Sequence, residues 1–204
     1  MRRALSCILL FVTVLSFAQT EDALQAYRDG NYADALRITQ DELEANPNNV
    51  ESHVVRGWTL SALGRNQEAL DIGLRGLQIS QYDHRLIQIV AEANLSLGNT
   101  LVALEYLELY VRVAPTASRI DWVYAAMGEI LIGFGEYHRA DIALTASVYH
   151  APRNAARWAR LGYAREQVGD WDEALEAYDR ALQLSPGLGD AVRGRSRVQS
   201  HIPG

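Results

Sequence analysis

Five histidines, His53, His84, His138, His150 and His201, are the residues best suited to metal or acid–base chemistry. None stands in an HxxH, HxH or HExxH pattern, so the spacing that brings two imidazoles to one ion is missing, and they read as scattered surface residues. The single cysteine, Cys7, can form neither an internal disulfide nor a thiolate-rich zinc site. Carboxylates are abundant, but pairs such as Asp41-Glu42 and Asp172-Glu173 fall on amphipathic helical patterns, where a solvated face accounts for them. No GxSxG elbow and no phosphate-cradling glycine loop occurs. Without a nucleophile–base constellation the chain reads as non-enzymatic, with no metal and no cofactor.

Composition narrows the partners. The 204 residues are 49% apolar and 22% charged, an ordinary globular balance. All 19 basic residues are arginine, and the net charge is −6, which argues against nucleic acid, because phosphate attraction needs a basic surface. Asn94-Leu95-Ser96 matches a glycosylation triplet, but it lies inside a helical pattern and is discounted.

Residues 1–18 read as a secretory signal peptide: Arg2 and Arg3, then an apolar run from Ala4 to Phe17, then Ser16-Phe17-Ala18 as a small-x-small cleavage site. The run is about 14 residues, short of the roughly 20 that a spanning helix needs. It follows Cys7 rather than preceding it, which argues against lipidation. Cleavage leaves no membrane-spanning run. The expectation is export to a bacterial periplasm or cell envelope.

The elements follow from a period. Gly30, Gly64, Gly98, Gly135 and Gly169 recur at spacings of 34, 34, 37 and 34, each with alanine five residues later: Ala35, Ala69, Ala103, Ala140 and Ala174. Pro47, Pro115, Pro152 and Pro186 share one phase, with Gln81 in the second unit. The glycine permits the positive φ that closes one helix. Asn31, Asn99 and Asp170 are placed to cap the next, with Asp34 and Glu173 completing capping boxes. The alanine allows close approach, and the proline ends the unit. The expectation is all-α: a repeated helix–turn–helix hairpin.

This pattern resembles tetratricopeptide repeats. The last unit carries the resemblance most fully, in Trp158, Leu161, Gly162, Gly169, Trp171, Ala174, Tyr178, Ala181 and Pro186. It implies an α-solenoid of five units over 19–189 (about 19–49, 50–83, 84–120, 121–154 and 155–188), with 190–204 as a polar capping helix and tail. Gly73 and Gly76, inside the second helix of the second unit, predict a helix that is either looser or closely packed on its neighbour. Three extra residues within Ala114–Ile120 predict a longer loop.

The resemblance also implies that the first helix of each unit lines a concave groove. Its family positions fall here on Tyr27, Glu51, Trp58, Arg85, Glu92, Trp122, Glu129, Tyr163 and Glu166. Aromatic residues are anchors at protein interfaces. With four glutamates against Arg85 alone, the groove is expected to take an extended or helical protein segment with a preference for basic groups. The implied function is a non-catalytic interaction scaffold or adaptor. The alternatives are a small-ligand module of a periplasmic uptake or envelope system, and self-association through the solenoid ends. The family's lysine-based clamp for acidic tails is not supported, because the chain has no lysine and Leu24 and Val55 stand where asparagines would be.

Overall fold

A computed structural model describes residues 22–202, and within them every regular element is helical. The signal-peptide reading of 1–18 lies outside the described residues. The helices come in hairpins: α1 (Ala23–Arg28) with α2 (Tyr32–Ala45), α3 (Val50–Ala62) with α4 (Asn66–Ile79), α5 (His84–Ser96) with α6 (Thr100–Val113), α7 (Ile120–Gly133) with α8 (Tyr137–His150), and α9 (Ala155–Val168) with α10 (Trp171–Leu184). A last helix, α11 (Gly189–Gln199), covers the end of the stack, packing on α10 and α9.

Each helix packs on its neighbours in the chain. In addition, first helices reach the first helix of the next hairpin, α1 to α3, α3 to α5 and α7 to α9, whereas the second helices of successive hairpins stand further apart, with α6 and α8 bridged by the Arg139–Glu108 ion pair. The first helices therefore lie on the inside of a curved α-solenoid. The series is interrupted once: among the described residues no Cα atom of α5 lies within 8 Å of one in α7, and the 114–119 connection, the longest between hairpins, lies at that joint.

The hairpin turns rest on backbone geometry. The five periodic glycines all have φ between 69° and 85°. At Gly64 and Gly135 a Cβ would meet nothing, so the left-handed conformation, not crowding, is what requires glycine there. Asn31, Asn99 and Asp170 do occupy the N-cap positions of the second helices, but their side chains make no capping hydrogen bond. The turn holds their backbone at ψ of 59–71°, with the N–H groups of Tyr32, Thr100 and Trp171 donating back to the carbonyls of Gly30, Gly98 and Gly169, rather than in the extended conformation from which a side chain caps. Side-chain capping belongs instead to first helices, where Asp22, Asn49, Asp83 and Asn154 accept backbone N–H bonds.

Packing uses the small residues as contact points. Ala35, Ala69, Ala103, Ala140 and Ala174 are completely buried. Of the two outcomes open for Gly73 and Gly76, the structure has close packing: a Cβ at Gly73 would lie 2.8 Å from Val90, and one at Gly76 2.8 Å from Leu86. Asn94 is buried and donates to the Val90 carbonyl, so it is no acceptor for a glycan. His53 departs from the surface reading: it is 5% exposed, and its Nε2 bonds the Pro47 carbonyl at 2.9 Å. At the far end the Tyr178 ring sits between Gly162 of α9 and Gly194 of α11, and an added Cβ at either would run into it.

Candidate functional site

The inner face brings part of the expected stripe together. Tyr27 on α1, Trp58 on α3, and Arg85, Gln88 and Glu92 on α5 line a hollow of about 640 Å³, completed by His84, Tyr110, Ser118 and Arg119. Tyr27 and Trp58 stack with centroids 5.9 Å apart. Each indole and phenol is only half-buried, so the stack both packs the α1–α3 joint and offers a face to the hollow. Opposite them His84 meets the Tyr110 ring edge-on at 5.8 Å. Trp122 lines a second hollow of about 260 Å³ that shares Ser61 and Glu92 with the first. The two form one trough along α1, α3, α5 and α7.

The remaining expected residues lie elsewhere. Glu129 is exposed on α7, and Tyr163 on α9 belongs to a separate hollow of about 320 Å³ beside α11. Glu166 is buried: it accepts from the Tyr178 hydroxyl at 2.6 Å and takes a two-point bond from Arg197, which fastens α11 to the stack. Burial pushes its carboxyl pKa up, but the hydrogen bonds from Arg197 and Tyr178 outweigh that and hold it below the ordinary value.

The electrostatics of the groove differ from those expected. Every glutamate of the stripe is met by an arginine from further along the chain. Glu51 receives Arg85 in a two-point bond of 2.7 and 2.8 Å. Glu92 receives Arg119 at 3.0 Å, and Glu129 receives Arg160 in a two-point bond of 2.6 Å. Glu166 receives Arg197, and Asp121 receives Arg157 at 2.6 Å. Arg85 also binds Asp83 and is held more firmly charged by both carboxylates. The stripe is a ladder of inter-hairpin clasps, with its carboxylates neutralised. The guanidinium of Arg119 also stands over Trp122 at 5.0 Å, and that of Arg160 over Tyr163 at 5.3 Å, as cation–π pairs.

The residues missed from sequence come from two places. Ser118 and Arg119 come from the long connection, which the repeat register does not reach. Tyr110 could have been found: it stands where three of the other four hairpins carry the small residues Gly76, Ser147 and Ala181 and the first carries Glu42. Among the described residues no group of three or more His, Cys, Asp or Glu could hold a metal ion, and no helix is long and apolar enough to cross a membrane.

Helical hairpins of this period, stacked with their first helices inward, define a tetratricopeptide-type solenoid with an aromatic inner trough. The tetratricopeptide-repeat family models match residues 21–84 and 155–188. Both stretches are tetratricopeptide repeats. Among solved structures the chain is similar to YrrB, described as a TPR protein with an unusual peptide-binding site (18% identity, 85% of this chain and 88% of that one, TM-score 0.73). It is also similar to MamA from Desulfovibrio magneticus RS-1 (20% identity, 82% and 93%, TM-score 0.70). Among curated proteins it is 25% identical over 159 residues to the BBSome complex member BBS4 homolog of Drosophila melanogaster. That match spans 78% of this chain but only 27% of that relative.

Proposed function

We propose that this protein is a non-catalytic interaction module that holds an extended segment of a partner protein in the trough from Tyr27 to Trp122. The observation that carries the reading is the continuity of the two hollows across four first helices, with half-buried rings on their walls. A segment laid along it would bury side chains against Tyr27, Trp58 and Trp122 and meet hydrogen-bonding groups on Gln88, Arg85 and Arg119. The peptide-binding site in YrrB's description supports the same use of the fold. Selection for basic groups is not part of the proposal, because Glu51, Glu92 and Glu129 are already clasped. Export to a bacterial envelope rests on residues 1–18 and joins the proposal on that footing.

A small-ligand module is the second reading, favoured by the size of the larger hollow, which lies in the range of small-molecule sites. Affinity capture from the native envelope separates the two. The variant Trp58→Ala/Trp122→Ala, checked for an unchanged helical spectrum, is expected to lose at least about tenfold of partner binding, the worth of one anchor residue or more. Equal capture by parent and variant would sink the trough as the binding face.

A further inference from the structure

The second hairpin departs from its neighbours at three points in one place. Where later hairpins carry Ile87, Tyr124 and Trp158, it has His53. Where they carry Val90, Met127 and Leu161, it has Arg56, and where they carry Leu107, Leu144 and Tyr178, it has Gly73. A core position has thus been given a cation. His53 and Arg56 line a hollow of about 420 Å³ between α2, α3 and α4, on the side of the second helices and away from the trough, with Arg75 and Gln78 across from them.

The polar groups of this hollow are left unanswered. Half-buried arginines elsewhere in the stack meet carboxylates: Arg85 has two, and Arg157 and Arg165 have one each. Arg56 has none among the described residues. Its Nη1 donates to the Leu36 carbonyl at 2.9 Å and to Thr39 Oγ1 at 3.4 Å, leaving Nε and Nη2 without a protein acceptor. Arg75 makes only a 3.3 Å bond from Nε to the Asp71 carbonyl. His53 carries a proton on Nε2, because the Pro47 carbonyl can only accept, and in the neutral ring Nδ1 is then an acceptor. That Nδ1 is buried with no partner. The one carboxylate at the hollow, Glu44, accepts from Gln40 at 2.7 Å.

Three requirements describe the missing guest: negative charge for two guanidinium groups, oxygens that accept from planar N–H donors, and one donor of its own for the imidazole. A carboxylate or sulfate supplies the first two only. We propose that the hollow binds hydrogen phosphate, its charged oxygens on Arg56 and Arg75 and its P–OH donating to His53 Nδ1. The environment of Arg56 agrees: burial first, then the like charge of Arg65, with Arg75 adding to it against the opposing charge of Glu68, pull its pKa down, a penalty that a bound anion would relieve. The site is independent of the trough and of whatever binds there.

The test titrates the full chain with inorganic phosphate, sulfate and acetate in chloride buffer at matched ionic strength. Calorimetry and the His53 ring resonances are the readouts, with Arg56→Leu alongside. Leucine is the residue at the equivalent place in the last hairpin, Leu161, so this variant is expected to keep its fold. Phosphate should bind and shift the His53 signals, with sulfate and acetate weaker by about tenfold, the worth of one hydrogen bond to a charged group. Arg56→Leu should abolish the response while its helical spectrum stays unchanged. Equal binding of the three anions, no binding of phosphate, or a response that survives in folded Arg56→Leu would each overturn the proposal.

Discussion

Gly76 and Gly194 show how a single missing methyl sets the spacing of this array. A Cβ at Gly76 would stand 2.8 Å from Leu86 and 3.2 Å from the Cβ of His53, both held by surrounding core. Gly76→Ala gains about 1 kcal/mol of helix propensity but must displace that contact, and overpacking of this kind costs about 1–3 kcal/mol. The expected outcome is a net loss of stability, read as a lower melting temperature. An increase would mean that Leu86 re-orients freely. The expectation of close packing was open to the sequence because glycine is an unusual choice inside a helix. Arg119 was not, since its partner Glu92 lies 27 positions away and only the stacked joint brings them together. The same holds for Glu129 and Glu166. Their place on an inner stripe was legible from the register, but the arginines that neutralise them belong to other helices, and a one-dimensional pattern does not pair them.

Among the elements, the 114–119 connection does the most to shape the trough. The three residues added to the repeat here, two of them in the connection, accompany the one joint where successive first helices stand more than 8 Å apart between Cα atoms, and Ser118 and Arg119 close one wall of the larger hollow. Removing three residues from 115–118 would restore the 34-residue spacing. The expected result is a folded array in which α7 meets α5, the hollow narrows and capture of the partner falls. A deletion variant that stays helical and binds as before would show that the hollow does not depend on this joint. The hairpins themselves were legible because the glycine, alanine and proline registers each record a local steric need. The capping of the second helices was not legible, because Asn31, Asn99 and Asp170 have the right residue types while the glycine turn holds their backbone out of the extended conformation that capping uses.

At the scale of the whole molecule, stability in a solenoid is roughly a sum of hairpin terms and nearest-neighbour joints. Isolated exposed ion pairs are each worth little, about 0–1 kcal/mol. The clasps that matter most for acid behaviour are those whose carboxyls are held low, at Asp83, Asp121 and Glu166. In each, burial alone would raise the pKa, and the arginine bonds prevail. A carboxyl with a lowered folded-state pKa stabilises the fold above the value of the free group, about 3.9–4.3, and that contribution is lost as pH falls through the lowered value. Thermal melts should therefore change little between pH 7 and 5 and fall steeply below about pH 4. Proteolysis at low pH should release α11 first, because Glu166 is what fastens it. If Glu166→Gln melts as the parent does at pH 7 and shows the same acid profile, the clasp is not the fastening.

The ladder behaves differently in the other direction. Lysine would begin to discharge near pH 10.4, but every cation in these clasps is a guanidinium, which stays charged throughout the working range of proteins. In alkali the rungs therefore outlast the phenols. Tyr178, pinned between two glycines with its hydroxyl given to Glu166, has its pKa raised by burial and then by that carboxylate. Its neutral form is what the fold retains, so it adds stability below the free phenol's pKa of about 10 and loses it as pH climbs beyond. Burial raises Tyr27 and Tyr110 as well, but strong base should loosen this molecule most at its capped end, at Tyr178, with the clasps still closed.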